Sequence, residues 1–349
     1  MTMIKPGPDE RIFPAAKLAT AVDAFVTEGV PLADALSGVD LSESDISSPK
    51  TRVSLNQIIE CYRNANKIYH DPRFAYQAGL RFHVSTYGMY GFALLSSVNF
   101  RQTVRFAVNY HTLATPTSEI SFREHNGSGI WTIAPVSHPR VDATLYRFLV
   151  ELQFGSHVSL HRDVMGPSFA PQEIHVTYAP PADAEKYPAI FGCNVLFGQS
   201  ENRLLFDAAW LDAAPQLGNK TTYSSLARLC DELLQELQLH VGLGGKVREI
   251  LLVNLAQPTS FDAVAKHLNM TPRTLRRRLR EENASYRELI DELRMRVAIK
   301  YLRDTELTIE DIADSLGFSE AANFRHAFRR WTGRTPQEFR RTLDALHKA

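Results

Sequence analysis

The sequence predicts an α+β N-terminal domain followed by an all-α C-terminal domain in which two helix-turn-helix units are joined by a central helix. Three observations carry that expectation. The chain has 349 residues, beyond the roughly 100–200 residues of one ordinary domain. Helical and strand patterns alternate irregularly from Ala15 to about Leu211, as in a mixed domain and unlike a repeat array. Near the C-terminus one pattern occurs twice: an apolar helix with a small residue at its centre, a tight turn, and a second helix with a basic outer face.

Taken in order, Met1–Arg11 mixes Pro, Gly and charged residues without an apolar leader core, and is expected to be a frayed tail. Helices are expected at Ala15–Glu28, Leu55–Tyr69, Tyr87–Ser96, Phe100–Leu113 and Ala143–His161. Strands are expected at Glu119–Arg123, Gly129–Ala134, Glu173–Tyr178, Val195–Phe197 and Arg203–Phe206, several of them bounded by Gly, Pro or Asn. Asp212–Thr222 is rich in small residues, Pro and Gly, and reads as a linker. Tyr223–Leu239 then returns to helix, with Leu226, Leu229, Leu233, Leu234 and Leu237 along one stripe. Such a stripe either packs on its own domain or carries a dimer contact, and both readings stay open. Val241–Gly245 interrupts the pattern and Lys246–Ala256 starts the next helix.

Acidic and basic residues balance at 39 each, so net charge says nothing about partners. Their distribution does: residues 258–342 hold 17 Lys and Arg against 13 Asp and Glu, whereas residues 1–257 hold 21 against 25. That split points to a polyanion site near the C-terminus. Cys61, Cys193 and Cys230 are far apart and match neither a disulfide framework nor a zinc module; they read as buried thiols of a reducing compartment. No run approaches the roughly 20 apolar residues of a membrane span, so a cytoplasmic protein without membrane attachment is expected. His157 and His161 stand at a spacing that could share a metal, but no Glu follows His157 and no third ligand is evident, which favours a packed or surface pair. Gly88–Gly91 and Gly127–Gly129 open no dinucleotide or phosphate-loop fingerprint and read as turn or close-packing glycines. No nucleophile elbow or zincin pattern occurs either, so no catalytic residue, metal or cofactor is expected.

The duplicated pattern holds most of the information. Its first copy is Phe261–Leu268, a turn at Asn269–Met270, and Thr271–Glu282; its second is Ile309–Leu316, a turn at Gly317–Phe318, and Ser319–Trp331. Val264, Ala265 and Leu268 recur 48 positions later as Ile312, Ala313 and Leu316. Ala265 and Ala313 are small where the second helix must cross closely, and Gly317 accepts a positive φ in the turn. Thr271 with Pro272 reads as a helix start, and Ser319 or Glu320 opens its counterpart. With Leu275 and Leu279 facing inward, Arg273, Arg276, Arg277 and Arg280 fall on the outer face. With Phe324, Phe328 and Trp331 inward, Arg325, His326, Arg329 and Arg330 do the same. Arg pairs in bidentate fashion with guanine or grips phosphate, and an outward Ala321 and Ala322 are small enough to lie against thymine methyls. Double-stranded DNA is therefore the expected partner. Between the units, Tyr286–Leu302 reads as one amphipathic helix with Leu289, Leu293, Val297 and Tyr301 inward, a rod of roughly 25 Å. It would hold two recognition helices about one duplex turn apart.

The stretch Phe261–Arg341, above all Ile309–Glu320 and Phe324–Pro336, resembles the DNA-binding domain of the AraC/XylS family. The resemblance implies that Arg273, Arg276 and Arg277 in the first unit, and Ala321, Ala322, Arg325 and His326 in the second, read bases. Gly88–Val98, Phe191–Phe197 and Asn202–Leu211 resemble the larger effector domain of the ornithine-regulator subgroup, and not the small sugar-binding cupin of the arabinose regulator. The division this implies is 1–215 for effector sensing or dimerisation, 216–245 for linker and helix, and 246–349 for DNA binding. It further implies an activator that works beside RNA polymerase, with a small-molecule effector and a second copy of the chain as further partners. Some regulators with this module are fused to alkyl-transfer enzymes, but three isolated cysteines cannot build the zinc-bound cluster those enzymes use. A constitutive DNA-binding protein whose N-terminal domain serves only assembly is the alternative.

Overall fold

The computed structural model describes residues 6–68, 71–114 and 116–347, without the side chains of residues 238 and 342–347. The chain divides into two compact units, Gly7–Leu237 and the part from Gln238 onward.

The N-terminal unit is α+β. Its helices are α1 (Ala16–Thr27), α2 (Leu32–Ala35), α3 (Glu43–Ser47), α4 (Leu55–Ile68), α5 (Phe74–Leu80), α6 (Met89–Ser96), α7 (Phe100–Ala114), α8 (Ala143–Met165), α9 (Tyr187–Phe191) and α10 (Lys220–Leu239). The short strands β1 (Phe13–Pro14) and β2 (Arg52–Val53) pair antiparallel. The main sheet contains β3 (Ser118–His125), β4 (Ser128–Pro135), β5 (Glu173–His175), β6 (Asn194–Leu196) and β7 (Asn202–Asp207), in the order β3-β4-β7-β5-β6. Its pairs are antiparallel except β5 with β6, whose parallel pairing requires the crossover that α9 supplies.

At the centre lies α8, buried nearly all round, with Trp131, Phe100, Phe154, Phe169 and Phe206 in the core that it shares with the sheet. It meets α5 at very close range. A Cβ on Gly79 would stand 2.2 Å from the carbonyl oxygen of Leu152, and one on Gly155 would stand 2.2 Å from that of Tyr76. Backbone-to-backbone contact of this kind is open only to glycine.

Several expected boundaries shift for identifiable reasons. Gly7–Arg11 is not frayed: Asn56 donates its backbone N–H to the Pro8 carbonyl at 2.9 Å and its side-chain amide to Asp9. Residues 1–5 of that tail, and Tyr69 at the end of the expected second helix, lie outside the described residues. The strand expected at Glu173–Tyr178 stops at His175, because the Thr177 N–H turns to the Asn202 side chain at 2.9 Å instead of to a strand. Helix α5 has no counterpart in the expected elements. Its seven residues are buried on several faces at once, so no amphipathic stripe announces it.

The linker expected at Asp212–Thr222 yields to helix at Lys220. Tyr223, Leu226 and Ala227 pack beside buried Cys230 in the N-terminal core, and the Tyr110 hydroxyl donates to Asp231. The contact boundary between Leu237 and Gln238 therefore falls inside the segment 216–245. Of the Leu stripe, Leu237 is buried whereas Leu233 is 43% exposed.

The C-terminal unit is helical: α11 (Gly242–Leu252), α12 (Phe261–His267), α13 (Pro272–Glu281), α14 (Tyr286–Asp304), α15 (Ile309–Ser315), α16 (Ala321–Thr332) and α17 (Pro336–His347). Helix α11 begins four residues before the expected Lys246. The glycines that read as an interruption form its first turn, where the Glu282 carboxylate accepts the N–H groups of Leu243 and Gly244, each at 2.9 Å. A carboxylate at a helix N-terminus satisfies donors that otherwise lack partners. No described helix is long and apolar enough to cross a membrane.

Candidate nucleic-acid interface

Each helix-turn-helix unit starts from a side-chain cap. Ser260 and Thr271 accept the N–H groups of Ala263 and Thr274 to open α12 and α13. Thr308 and Asp311 form a reciprocal capping box at the start of α15. Glu320 opens α16 with no side-chain bond. Turns follow at Asn269 and Gly317, both in the left-handed region at φ 54° and 73°. Ala265 and Ala313 are fully buried, as close crossing requires.

One apolar core serves both units. Leu275 and Leu279 of α13, and Phe324 and Phe328 of α16, are buried in the same cluster as Leu289, Leu293, Ala298 and Leu302 of α14. The inward face of α14 differs from expectation: Val297 and Tyr301 are only half-buried, and Ala298 and Leu302 take the inner positions. With 19 residues, α14 is about 28 Å long at ~1.5 Å per residue.

Burying those leucines and phenylalanines turns the arginines outward. Arg273, Arg276, Arg277 and Arg280 are exposed on α13. Arg276 lies over the Phe261 ring with 5.1 Å to its centroid, and Arg277 pairs with Glu281 one turn on at 2.5 Å. On α16, Ala322, His326, Arg329 and Arg330 are exposed, and Arg325 is partly so, paired with Glu310 of α15 at 2.5 Å. Exposed pairs of this kind contribute only about 0–1 kcal/mol, so phosphate or guanine can displace the carboxylates readily.

Two positions depart from the expected faces. Ala321 is half-buried against the core, not fully outward, because it sits in the first turn of α16 beside the apolar cluster. Trp331 is only half-buried, its ring 6.1 Å from Phe318.

The structure brings Arg287 and Arg294, which local sequence does not single out, beside Arg330 and His326, which it does. Arg330 bonds Asp291 of α14 at 3.0 Å, and Arg294 lies 4.9 Å over Phe318. With Arg287, His326 and Tyr286 they line an open groove between α14 and α16. The placement of Arg287 and Arg294 depends on packing between separate helices, whereas the Arg277–Glu281 pair has a local signal, the four-residue spacing.

The other motifs resolve in the N-terminal unit. His157 and His161 are a packed pair, both buried, and burial depresses them to pKa values of about 4 and about 3. His157 donates from Nδ1 to the Gln153 carbonyl, His161 donates from Nδ1 to the His157 carbonyl, and Trp131 Nε1 donates to His161 Nε2 at 3.0 Å. Asn126 and Gly127 form the β3–β4 turn at φ 49° and 75°, and Gly129 lies against the Phe206 ring. Cys61 and Cys230 are buried, whereas Cys193 is half-buried.

Two helix-turn-helix units on one core, each with cationic side chains outward, define a DNA-binding transcription regulator. Residues 264–342 match a helix-turn-helix domain, and residues 29–214 match the family described as the arabinose-binding domain of AraC transcription regulator, N-terminal. The chain belongs to the AraC family of transcription regulators. The N-terminal region has the α+β architecture described above, and the expected likeness to an ornithine regulator is met by a relative of that name over nearly its whole length.

Among its relatives are the ornithine utilization regulator of Pseudomonas aeruginosa, 28% identical over 94% of this chain and 96% of the relative, and the regulator VqsM of the same organism, 30% identical over 76% and 82%. These relatives are regulators and not enzymes. Among solved structures, the transcriptional regulator CdpR from P. aeruginosa aligns over 80% of this chain and 90% of its own, with 24% identity and a TM-score of 0.46.

Proposed function

We propose that this regulator reads two adjacent major grooves on one side of a duplex, α13 entering one and α16 the next. Arg273, Arg276, Arg277 and Arg280 contact DNA from the first unit, and Ala321, Ala322, Arg325, His326 and Arg329 from the second. The observation that carries this reading is the shared core: α13 and α16 bury their apolar sides in one cluster built along α14, leaving their arginines in solvent. The length of α14 is compatible with the roughly 34 Å of one duplex turn.

The N-terminal part, through about residue 215, senses a small molecule and supports a homodimer, and residues 246–349 bind DNA. Output is activation beside RNA polymerase, in the cytoplasm. A relative named for ornithine utilization supports control by a metabolite. The test is binding of the full chain to duplexes with two sub-sites one turn apart, against duplexes with five extra base pairs between them. Half a turn of insertion moves the second sub-site to the opposite side, so affinity is expected to fall to that of a single sub-site. Equal affinity for both would refute simultaneous entry. Titration of a metabolite panel with DNA binding as readout tests effector control, and no shift across the panel would leave a constitutive DNA-binding protein whose N-terminal unit serves assembly.

A further inference from the structure

Helix α14 brings charged side chains of its own into the groove that it forms with α16. Arg287, Asp291 and Arg294 follow one another along one side of the helix, at spacings of four and three residues, and share the groove with Asn323, His326 and Arg330 of α16. Arg287 is exposed, and Arg294 lies 4.9 Å over the Phe318 ring. The Nε of Arg294 is closed off from solvent and has no partner, so its terminal nitrogens are the ones left to meet a ligand. Among the described residues neither Arg287 nor Arg294 makes a hydrogen bond or an ion pair, and the Asp291 carboxylate is taken by Arg330 at 3.0 Å. The lining therefore holds three arginines against one aspartate, an excess of two positive charges without counting His326.

This groove reaches from one recognition helix to the other. At one end the Tyr286 ring stands edge-on to Phe261, with 5.3 Å between centroids, and Phe261 lies beneath Arg276 of α13. At the other end His326 belongs both to the groove and to the exposed face of α16. When two helices occupy successive major grooves, the duplex surface that passes between them is the minor groove with its flanking sugar-phosphate strands. That surface meets a protein first with phosphate charge, which is the same for every sequence.

We propose that α14 is itself a DNA-binding element: Arg287 and Arg294, joined by Arg330 when it leaves Asp291, clamp the phosphodiester backbone that crosses between the two sub-sites. An arginine fork matches the two non-bridging oxygens of a phosphodiester. Exchange of Asp291 for phosphate at Arg330 is inexpensive, because a solvent-exposed pair contributes only about 0–1 kcal/mol. The central helix thus does more than hold two probes apart; it supplies affinity that is independent of base sequence. The inference rests on the two-groove reading and names what fills the space between the grooves.

The test is binding of the full chain to the duplex that it selects from a random pool, and to an unselected duplex, over a series of KCl concentrations. Arg287→Gln and Arg294→Gln are each expected to weaken both duplexes about three- to tenfold, to leave the order of base preferences unchanged, and to lower the slope of log affinity against log salt by about one. Asp291→Asn frees Arg330 and is expected to act the other way, tightening both duplexes and steepening that slope, which loss of a merely structural ion pair would not do. Ethylation of phosphates between the two sub-sites is expected to block the parent and to leave Arg287→Gln/Arg294→Gln indifferent. Arg294→Gln also gives up the contact with Phe318, so thermal melts accompany each variant, whereas Arg287 is on the surface and free of that complication. An unchanged salt slope in Arg287→Gln, weaker binding by Asp291→Asn, or losses confined to the selected duplex would overturn the proposal. If the half-turn insertion lowers affinity while these slopes stay unchanged, only the role of α14 is refuted; if the insertion costs nothing, the two-groove reading falls with it.

Discussion

Arg276 illustrates how much a residue's surroundings add to its sequence pattern. Its outward direction follows from the spacing of Leu275 and Leu279, but its place over the Phe261 ring requires α12 to be packed beneath it. Contact with that ring restrains the guanidinium before DNA arrives, so less side-chain freedom is lost on binding. Arg276→Ala is expected to cost roughly 1–3 kcal/mol at one base pair and to relax preference there, measured by competition among operator variants. Equal loss on specific and random duplexes would reassign Arg276 to phosphate.

The histidine pair makes a second residue-scale prediction. In the folded chain both imidazoles are held neutral, at about 4 and about 3, against an ordinary 6.5. The unfolded chain therefore binds more protons between these values and 6.5, so stability is complete above pH 6.5 and is lost as pH falls. At about 1.4 kcal/mol per pKa unit, acidification towards pH 4 is expected to remove roughly 2–3 kcal/mol for each imidazole. The variant His157→Gln/His161→Gln keeps acceptors for the neighbouring donors and is expected to flatten that slope in urea melts; an unchanged slope would place the acid-sensitive group elsewhere. The four-residue spacing of these histidines was visible in sequence. Their burial was not, because α8 is enclosed on almost every side and its polar residues carry no periodic mark.

At the element scale, patterns with a period were readable and close approaches were not. The 48-residue displacement located both helix-turn-helix units, and Thr271–Pro272 located the start of α13, because caps and apolar spacing are local properties. Helix α5 went unseen because its contact with α8 depends on Gly79 and Gly155 meeting across a long sequence gap. Gly79→Ala is expected to lower stability by about 1–3 kcal/mol through overpacking, since the added carbon would meet the Leu152 carbonyl at 2.2 Å. Chemical denaturation of the full chain measures this, and a change under 0.5 kcal/mol would mean that the helices separate at little cost.

For the whole molecule, the sequence supplied two domains and their order, but not where α10 belongs. Its Tyr223 and Cys230 are part of the N-terminal core, while Leu233 faces solvent. Deleting Tyr223–Leu239 would therefore damage the N-terminal unit itself and would report nothing clean about self-association. Leu233→Glu separates the two effects: the melting transition is expected to stay in place while the sedimentation mass of the full chain falls towards that of a monomer. Unchanged mass would move the homodimer contact away from this helix.

The two left-handed turns carry a last consequence. Asn269 holds its conformation with a side chain present, whereas a carbon on Gly317 would stand 1.9 Å from the Ala256 carbonyl oxygen. Transplants between the repeats should consequently succeed in one direction alone. Glycine placed at 269 keeps the hairpin of helices at small cost, but asparagine placed at 317 has nowhere to go, so Gly317→Asn should cost the chain its second foothold on the operator while Asn269→Gly leaves both in place.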